Sequence, residues 1–320
     1  MGLSAKENLL RALAHEEPEH VPWEGEGALA VVDHVGRRPP LSGVDAWGVA
    51  WAPLPADYRP AAGEPAASYP VGHPVDTAAG LLDLPVPPVT PALFAGLFAG
   101  GRPADALIVG RHEAGPFERF AQLLGTANAL NALLREPEAS AAALMRIAEY
   151  HVQVAAGYLA AGVEAGWLAD DYAGNAGPFF RPELWRRLIL PAVRRIIAAY
   201  RQAGAIVFFH TCGRAEAFIP DLLEAGVTVF NLQSDLCDLA GLKARFGRRI
   251  AFYGGVPVSL MLNGTPEQVE ARARIAIQTL GRDGGLILAA DQPLAYPPAN
   301  VAALAEAARQ WAGIGRACYE

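Results

Sequence analysis

Cysteine, charge and long apolar runs are all scarce in this chain, and each scarcity closes off a class of protein. Only three cysteines occur in 320 residues, Cys212, Cys237 and Cys318. A small, odd number without regular spacing is no disulfide framework, so in a reducing compartment each is a free thiol or a metal ligand. Charged residues make up 18%, and acids exceed bases to give a formal net charge of −7. Nucleic-acid binders show the opposite excess, so no nucleic-acid partner is expected. No apolar run reaches the roughly 20 residues of a membrane helix, which argues against a membrane partner. The first residues lack the basic stretch and apolar core of a secretory signal. Ser4 and Glu7 read instead as a capping box opening a short helix with Leu9, Leu10 and Leu13 on one face. A cytoplasmic location is expected. A glycine-rich phosphate or dinucleotide fingerprint is missing after every candidate strand.

What is present is a large apolar fraction, 52%, arranged as strands alternating with helices. Val21–Glu26 reads as a first strand. From about 52 to 92 the chain is dense in proline and poor in periodicity, which disfavours helix and buried strand. It reads as an irregular insertion, a lid or a surface wrap, within one domain spanning 1–320. Beyond it, apolar runs at 106–110, 166–171, 205–210, 227–233, 250–254 and 285–291 read as buried strands. Helical segments read at 116–134, 137–161, 182–203, 216–225, 239–246, from 265 onward and at 298–312. This alternation predicts a parallel sheet covered by helices. Polar residues close nearly every strand: Asp170 and Asp171, His210, Gln233, Asp291. A barrel gathers all those ends around one pocket, whereas an open sheet gathers only the pair at its switch point. The expected fold is a (β/α)8 TIM barrel.

The most informative segment is His210-Thr211-Cys212-Gly213. Residues two apart on an extended segment point the same way, and imidazole with thiolate is a donor pair suited to zinc. A further donor must come from another strand, Asp291 or Glu24 first, then Glu26 or Asp171. Asp170 and Asp171 are adjacent and therefore face opposite ways, so one of them looks into the pocket. Asp171 is the expected one, binding an N–H or cationic group or working as general acid or base, with capping as its alternative role. Gln233 and the Gly254-Gly255 pair lie at the next strand ends. The arginines at 186, 187, 194, 195 and 201 read as a solvated helix face, and Cys237 and Cys318 as structural residues.

These segments, taken in order, resemble the uroporphyrinogen decarboxylase superfamily. The likeness runs through His15–Pro22, Asp45–Val49, Pro116–Phe120 with Leu124-Gly125, Asp170–Tyr172 and His210–Gly213. It continues through Ile219–Leu222, Phe252–Gly255 and Asn263–Glu267. The resemblance implies a (β/α)8 barrel and one of two chemistries. True decarboxylases carry arginines at the first strand, where this chain has Glu24 and Glu26, acids that would repel a polycarboxylate. The other branch holds corrinoid-dependent methyltransferases of the methylcobalamin:coenzyme M type. Their zinc sits on a His-x-Cys and a further Cys at the last strand. His210 and Cys212 match, and Asp291 stands near the place of the missing Cys. The resemblance thus implies a zinc-dependent methyltransferase moving a methyl group between a corrinoid carrier protein and a thiol or similar small-molecule acceptor. His210, Cys212 and Asp291 would be metal ligands, Asp171 and His210 catalytic, and Glu24, Asp171 and Gln233 substrate-binding. The alternatives are a metal-free decarboxylase or lyase, with Asp171 as anchor and His210 as acid or base, and a catalytically lapsed barrel that binds a ligand or a corrinoid partner. A homodimer is compatible with apolar loop surfaces.

Overall fold

The computed structural model describes residues 2–55 and 67–311; part of the expected insertion, 56–66, and Cys318 lie outside the described residues. The first helix, α1 (Ala5–Ala14), starts at Ser4, whose hydroxyl accepts the Glu7 N–H. It satisfies one of the amide groups that a helix start leaves without a partner. The expected first strand is reduced to a bridge between Trp23 and Leu288 and a 3-10 turn at Glu24–Glu26. Gly27, at φ 83°, turns the chain out of the extended form. The strand itself, β1, comes a few residues later at Leu29–Asp33.

The proline-rich region is less irregular than expected. β2 (Gly43–Val44), β3 (Ala50–Pro53) and β4 (Ser68–Gly72) form a small antiparallel sheet. Short 3-10 helices follow at Gly80–Leu82 and Pro91–Phe94. Then comes the regular alternation: β5 (Leu107–Ala114), α2 (Pro116–Leu124), α3 (Thr126–Arg135), α4 (Pro137–Ala160), β6 (Ala165–Ala169) and a hairpin of β7 (Ala173–Gly174) and β8 (Gly177–Pro178). Next are α5 (Pro182–Leu188), α6 (Leu190–Gln202), β9 (Ile206–Thr211), α7 (Ile219–Ala225), β10 (Val229–Leu232), α8 (Leu239–Phe246) and β11 (Ala251–Val256). The described chain ends with α9 (Val258–Asn263), α10 (Pro266–Leu280), β12 (Leu286–Ala290) and α11 (Pro298–Trp311).

Seven strands form one parallel sheet in the order β1-β5-β6-β9-β10-β11-β12. Each pairs with the next sheet strand along the chain, so no switch point exists and the connectivity is singly wound. The sheet curls until the segment before β1 meets β12, where Leu288 N–H donates to Pro22 O at 2.8 Å. Alternate residues divide the apolar side chains into two clusters. Ile108, Leu168, Val207, Phe209, Phe230 and Phe252 pack outward against the helices. Leu107, Val109, Ala165, Trp167, Phe208, Val229, Ala251, Tyr253, Ile287 and Ala289 fill the concave side, together with Leu9 of α1, which plugs its amino-terminal end. That packing closes one end of the curl and leaves the carboxyl ends of the strands to build a site.

Candidate functional site

The parity that buries Phe208 on the concave side also turns His210 inward, and Cys212 follows in the loop after β9. Asp171 arrives from the loop after β6, the neighbour of β9. The three are the one group of metal-ligating side chains found among the described residues, with donor atoms all within 4.8 Å of one another. His210 Nε2 lies 3.2 Å from Cys212 Sγ and 4.0 Å from Asp171 Oδ1. Ligands around tetrahedral zinc stand about 3.3–3.6 Å apart, given metal–ligand bonds of about 2.0–2.3 Å. The His210–Cys212 distance is already close to that spacing, and the His210–Asp171 distance lies slightly beyond it.

The protein holds the group from behind. Asp171 Oδ1 accepts the Cys212 N–H at 2.7 Å, so the carboxylate is fixed to the loop carrying the thiol. Gly213 N–H donates to Gln233 Oε1 at 2.6 Å, and Gln292 Nε2 reaches Cys212 Sγ at 3.4 Å. His210 Nδ1 meets Asn231 Oδ1 at 2.8 Å. The orientation of that amide is set by its other end, because Asn231 Nδ2 donates to the carbonyls of Tyr253 and Asp291 at 2.9 and 2.8 Å. With only an oxygen to meet, His210 Nδ1 carries the hydrogen and Nε2 offers its lone pair toward Cys212. Burial, then the charge of Asp171, drives the Cys212 thiol far above its usual range. A divalent cation between these groups would reverse that and hold the sulfur as thiolate.

Asp170 and Asp171 divide as their alternation requires. Asp170 turns outward, and its oxygens accept the Phe117 and Glu118 N–H groups at 3.1 and 2.8 Å and the Tyr172 hydroxyl at 2.9 Å. It caps the first turn of α2, whose own N-cap, Gly115, has no side chain to do so. Burial raises its carboxyl to about 7. Asp291 lies elsewhere. Its Oδ2 accepts both the N–H and the hydroxyl of Ser234 at 2.7 Å, and its Oδ1 the Gly255 N–H at 2.9 Å. It ties together the loops after β10, β11 and β12, and burial raises it to about 6. The carboxylate that the structure brings to His210 and Cys212 is therefore Asp171. Glu24 stands on the 3-10 turn, where it hydrogen-bonds the Tyr253 side chain, and burial raises its carboxyl. Gln233 positions Gly213 beside the cluster. Cys237 is buried and donates to Gly213 O at 3.2 Å, a structural contact.

Three participants escaped the sequence reading: Asn231, Gln292 and Glu118. Asn231, on β10, shares the parity of Gln233 just beyond the strand, which is the signal that could have found it. Gln292 follows Asp291 at the end of the last strand. Glu118 faces Asp171 and Asp170 from α2, and burial followed by those two charges holds its carboxyl well above the usual range.

A singly wound parallel sheet with a His-Cys-Asp cluster at the carboxyl ends of its strands defines an α/β enzyme-like scaffold with a candidate metal centre. The chain matches the uroporphyrinogen decarboxylase (URO-D) family over residues 105–311 and belongs to that family. A curated relative, the methylated-thiol–coenzyme M methyltransferase of Methanosarcina mazei, is 26% identical over 163 residues, which cover 51% of this chain and 42% of that enzyme. A solved methyltransferase from Methanosarcina mazei superposes with a TM-score of 0.70 at 19% identity, covering 96% of this chain and 99% of its own, which establishes the common fold. No described helix is long and apolar enough to cross a membrane.

Proposed function

We propose that this protein is a zinc-dependent methyltransferase that moves a methyl group between a corrinoid carrier protein and a small thiol, with Asp171, His210 and Cys212 as the zinc ligands. The observation carrying the proposal is the convergence of those donors, with His210 held by Asn231 in the tautomer that leaves Nε2 able to ligate. Three protein ligands and one open position are the pattern of catalytic rather than structural zinc. Bound zinc would hold a sulfur as thiolate at neutral pH, and so as a nucleophile. The protein's part is to present and orient. Asp171 anchors the Cys212 loop, Gln233 and Gln292 fix Gly213 and Cys212, and Glu24 with Tyr253 lines the chamber that receives the acceptor. The name of the Methanosarcina relative supports thiol methylation chemistry, and the curled sheet with its Trp23 bridge supports a full (β/α)8 barrel. Asp171 takes the ligand place that the sequence assigned to Asp291, whose oxygens already serve Ser234 and Gly255.

Elemental analysis of the purified protein tests this reading. About one zinc per chain is expected, lost in His210→Ala and Cys212→Ala and strongly depleted in Asp171→Asn. Asp291→Asn should lower stability while retaining the metal. Methyl transfer from methylcobalamin to a thiol should follow the zinc content across the series. A wild type that stays metal-free after growth in ample zinc would sink the mechanism and favour a lyase using Asp171 and His210.

A further inference from the structure

A second polar cluster faces the same chamber. β1 and β5 pair in register, Leu29 with Leu107 through to Asp33 with Arg111. Leu107 and Val109 lie on the concave side and Leu29 packs against them, so Val31, Asp33 and Arg111 share that face by alternation. Val31 is 40% exposed, so the chamber is open above the packed layer. Arg111 makes a two-point contact with Asp33, Nε to Oδ1 at 3.0 Å and Nη2 to Oδ2 at 2.9 Å. Two more arginines crowd the same carboxylate from the loop after β1. Arg37 Nε is 2.6 Å from Oδ1, and Arg38 Nε is 3.7 Å from Oδ2.

The charges do not balance. Three guanidiniums meet one carboxylate, the only acid paired with them among the described residues. One arginine would satisfy Asp33; Arg37 brings a second like charge into a largely buried place, and Arg38 adds a third from the exposed rim. Arg37 is only 14% exposed, and its contact with Asp33 runs through Nε to an oxygen that Arg111 already uses. Burial, then the charge of Arg111, pushes the Arg37 guanidinium below its usual range. Burial alone would raise the Asp33 carboxyl; the Arg111 hydrogen bond and the Arg37 charge outweigh it and hold Asp33 low. The field of Arg111 reaches Tyr253 on the far side, the residue bonded to Glu24. An incoming anion would relieve the repulsion and complete the pairing.

We propose that Arg37 and Arg111, with Arg38 at the rim, form a subsite for the anionic end of a small organic substrate, a carboxylate or a sulfonate. Guanidinium forks suit such planar or tripodal oxyanions, because two N–H groups can meet two oxygens at once. The subsite depends on the methyl-transfer reading only for which substrate it serves. Its existence rests on the arginines.

Calorimetric titration of the full chain with ethanesulfonate, propionate and the neutral propionamide tests it. At least one anion should bind in the millimolar range, with affinity falling as salt rises, and propionamide should not; the better anion identifies the head group. Arg37→Met and Arg111→Met should each weaken binding about tenfold, the loss of one charge-assisted contact. Asp33→Asn should bind at least as tightly, because it removes the competing acid. Arg38→Met, at a side chain 62% exposed, should fold normally and bind about threefold more weakly, as a screened rim charge would. It decides the matter if the other variants unfold. Protein stripped of zinc should bind the anion unchanged, so a metal-free wild type that still binds leaves the subsite standing while the methyl-transfer reading falls. Zinc-loaded protein that binds neither anion, or arginine variants that bind as well as the wild type, would overturn the subsite.

Discussion

Asn231 shows how much of the site depends on a residue that need not touch metal or substrate. Its amide spans three strands, with Nδ2 fixed by carbonyls on β11 and after β12 and Oδ1 left to receive the His210 Nδ1 hydrogen. Asn231→Leu should therefore free the imidazole to rotate and change tautomer, weakening zinc binding about 10- to 100-fold, the usual effect of losing an outer partner of a ligand histidine. Competition with a chromophoric chelator measures it, and an affinity equal to the wild type would show that His210 is oriented by packing alone. Asp170 and Asp171 illustrate what was legible at this scale. Period-two alternation required the two acids to diverge, and they do. It could not decide between Asp171 and Asp291 as the carboxylate beside His210. That depends on how loops from different strands fold over the strand ends, and Ser234 and Gly255 claim Asp291 through backbone N–H groups that side-chain patterns do not reveal.

Elements position the cluster through their breaks as much as through their regular parts. Gly213 has φ 75°, and a Cβ there would lie 2.4 Å from Ala173 O, so the loop carrying Cys212 rests directly on β7. Gly213→Ala should strain that turn by about 1–3 kcal/mol and push the loop away from Asp171. The expected result is a lower melting temperature together with reduced zinc occupancy; a variant with wild-type zinc content would show that the loop tolerates displacement. Helices and strands in the second half were legible because apolar periodicity and capping residues agree there. α8 lies where its pattern places it, and Thr265 opens α10 with a capping box. The expected helix at 182–203 breaks at Ile189, where the following Leu190-Pro191 removes a backbone donor. The helix expected at 116–134 breaks at Gly125, at φ 82°. β1 was missed because the acidic and glycine-rich segment before it looked equally extended, and only its pairing with β5 and the turn at Gly27 separate the two.

For the whole molecule, the outer layer between sheet and helices carries an unusual charge-sensitive element. His112 on β5 and His151 on α4 are fully buried, their Nδ1 atoms 3.0 Å apart, with the Tyr200 hydroxyl 2.6 Å from His112 Nε2. Burial lowers His151 to about 3, and burial with the charge of His151 lowers His112 well below its usual value. Both rings are neutral in the folded protein at neutral pH. The unfolded chain binds protons on them once the pH falls below about 6.5, so the folded state loses stability progressively as pH drops from there toward the folded value. The buried acids act in the opposite sense: Asp170 and Asp291 titrate at about 7 and 6 in the fold, above their unfolded values, so they stabilise it at low pH and lose that contribution as pH rises. Net pH dependence is the difference of these terms, and a single variant isolates one of them. His151→Phe should be less stable than the wild type at pH 7.5, having lost a buried hydrogen bond. The gap should narrow by up to about 1.4 kcal/mol per pH unit below 6.5, because the variant no longer carries that ring's proton linkage. Urea unfolding of both proteins at pH 7.5 and 5.5 measures it, and a gap that stays constant would mean that His151 takes up its proton in the fold over the same pH range as in the unfolded chain.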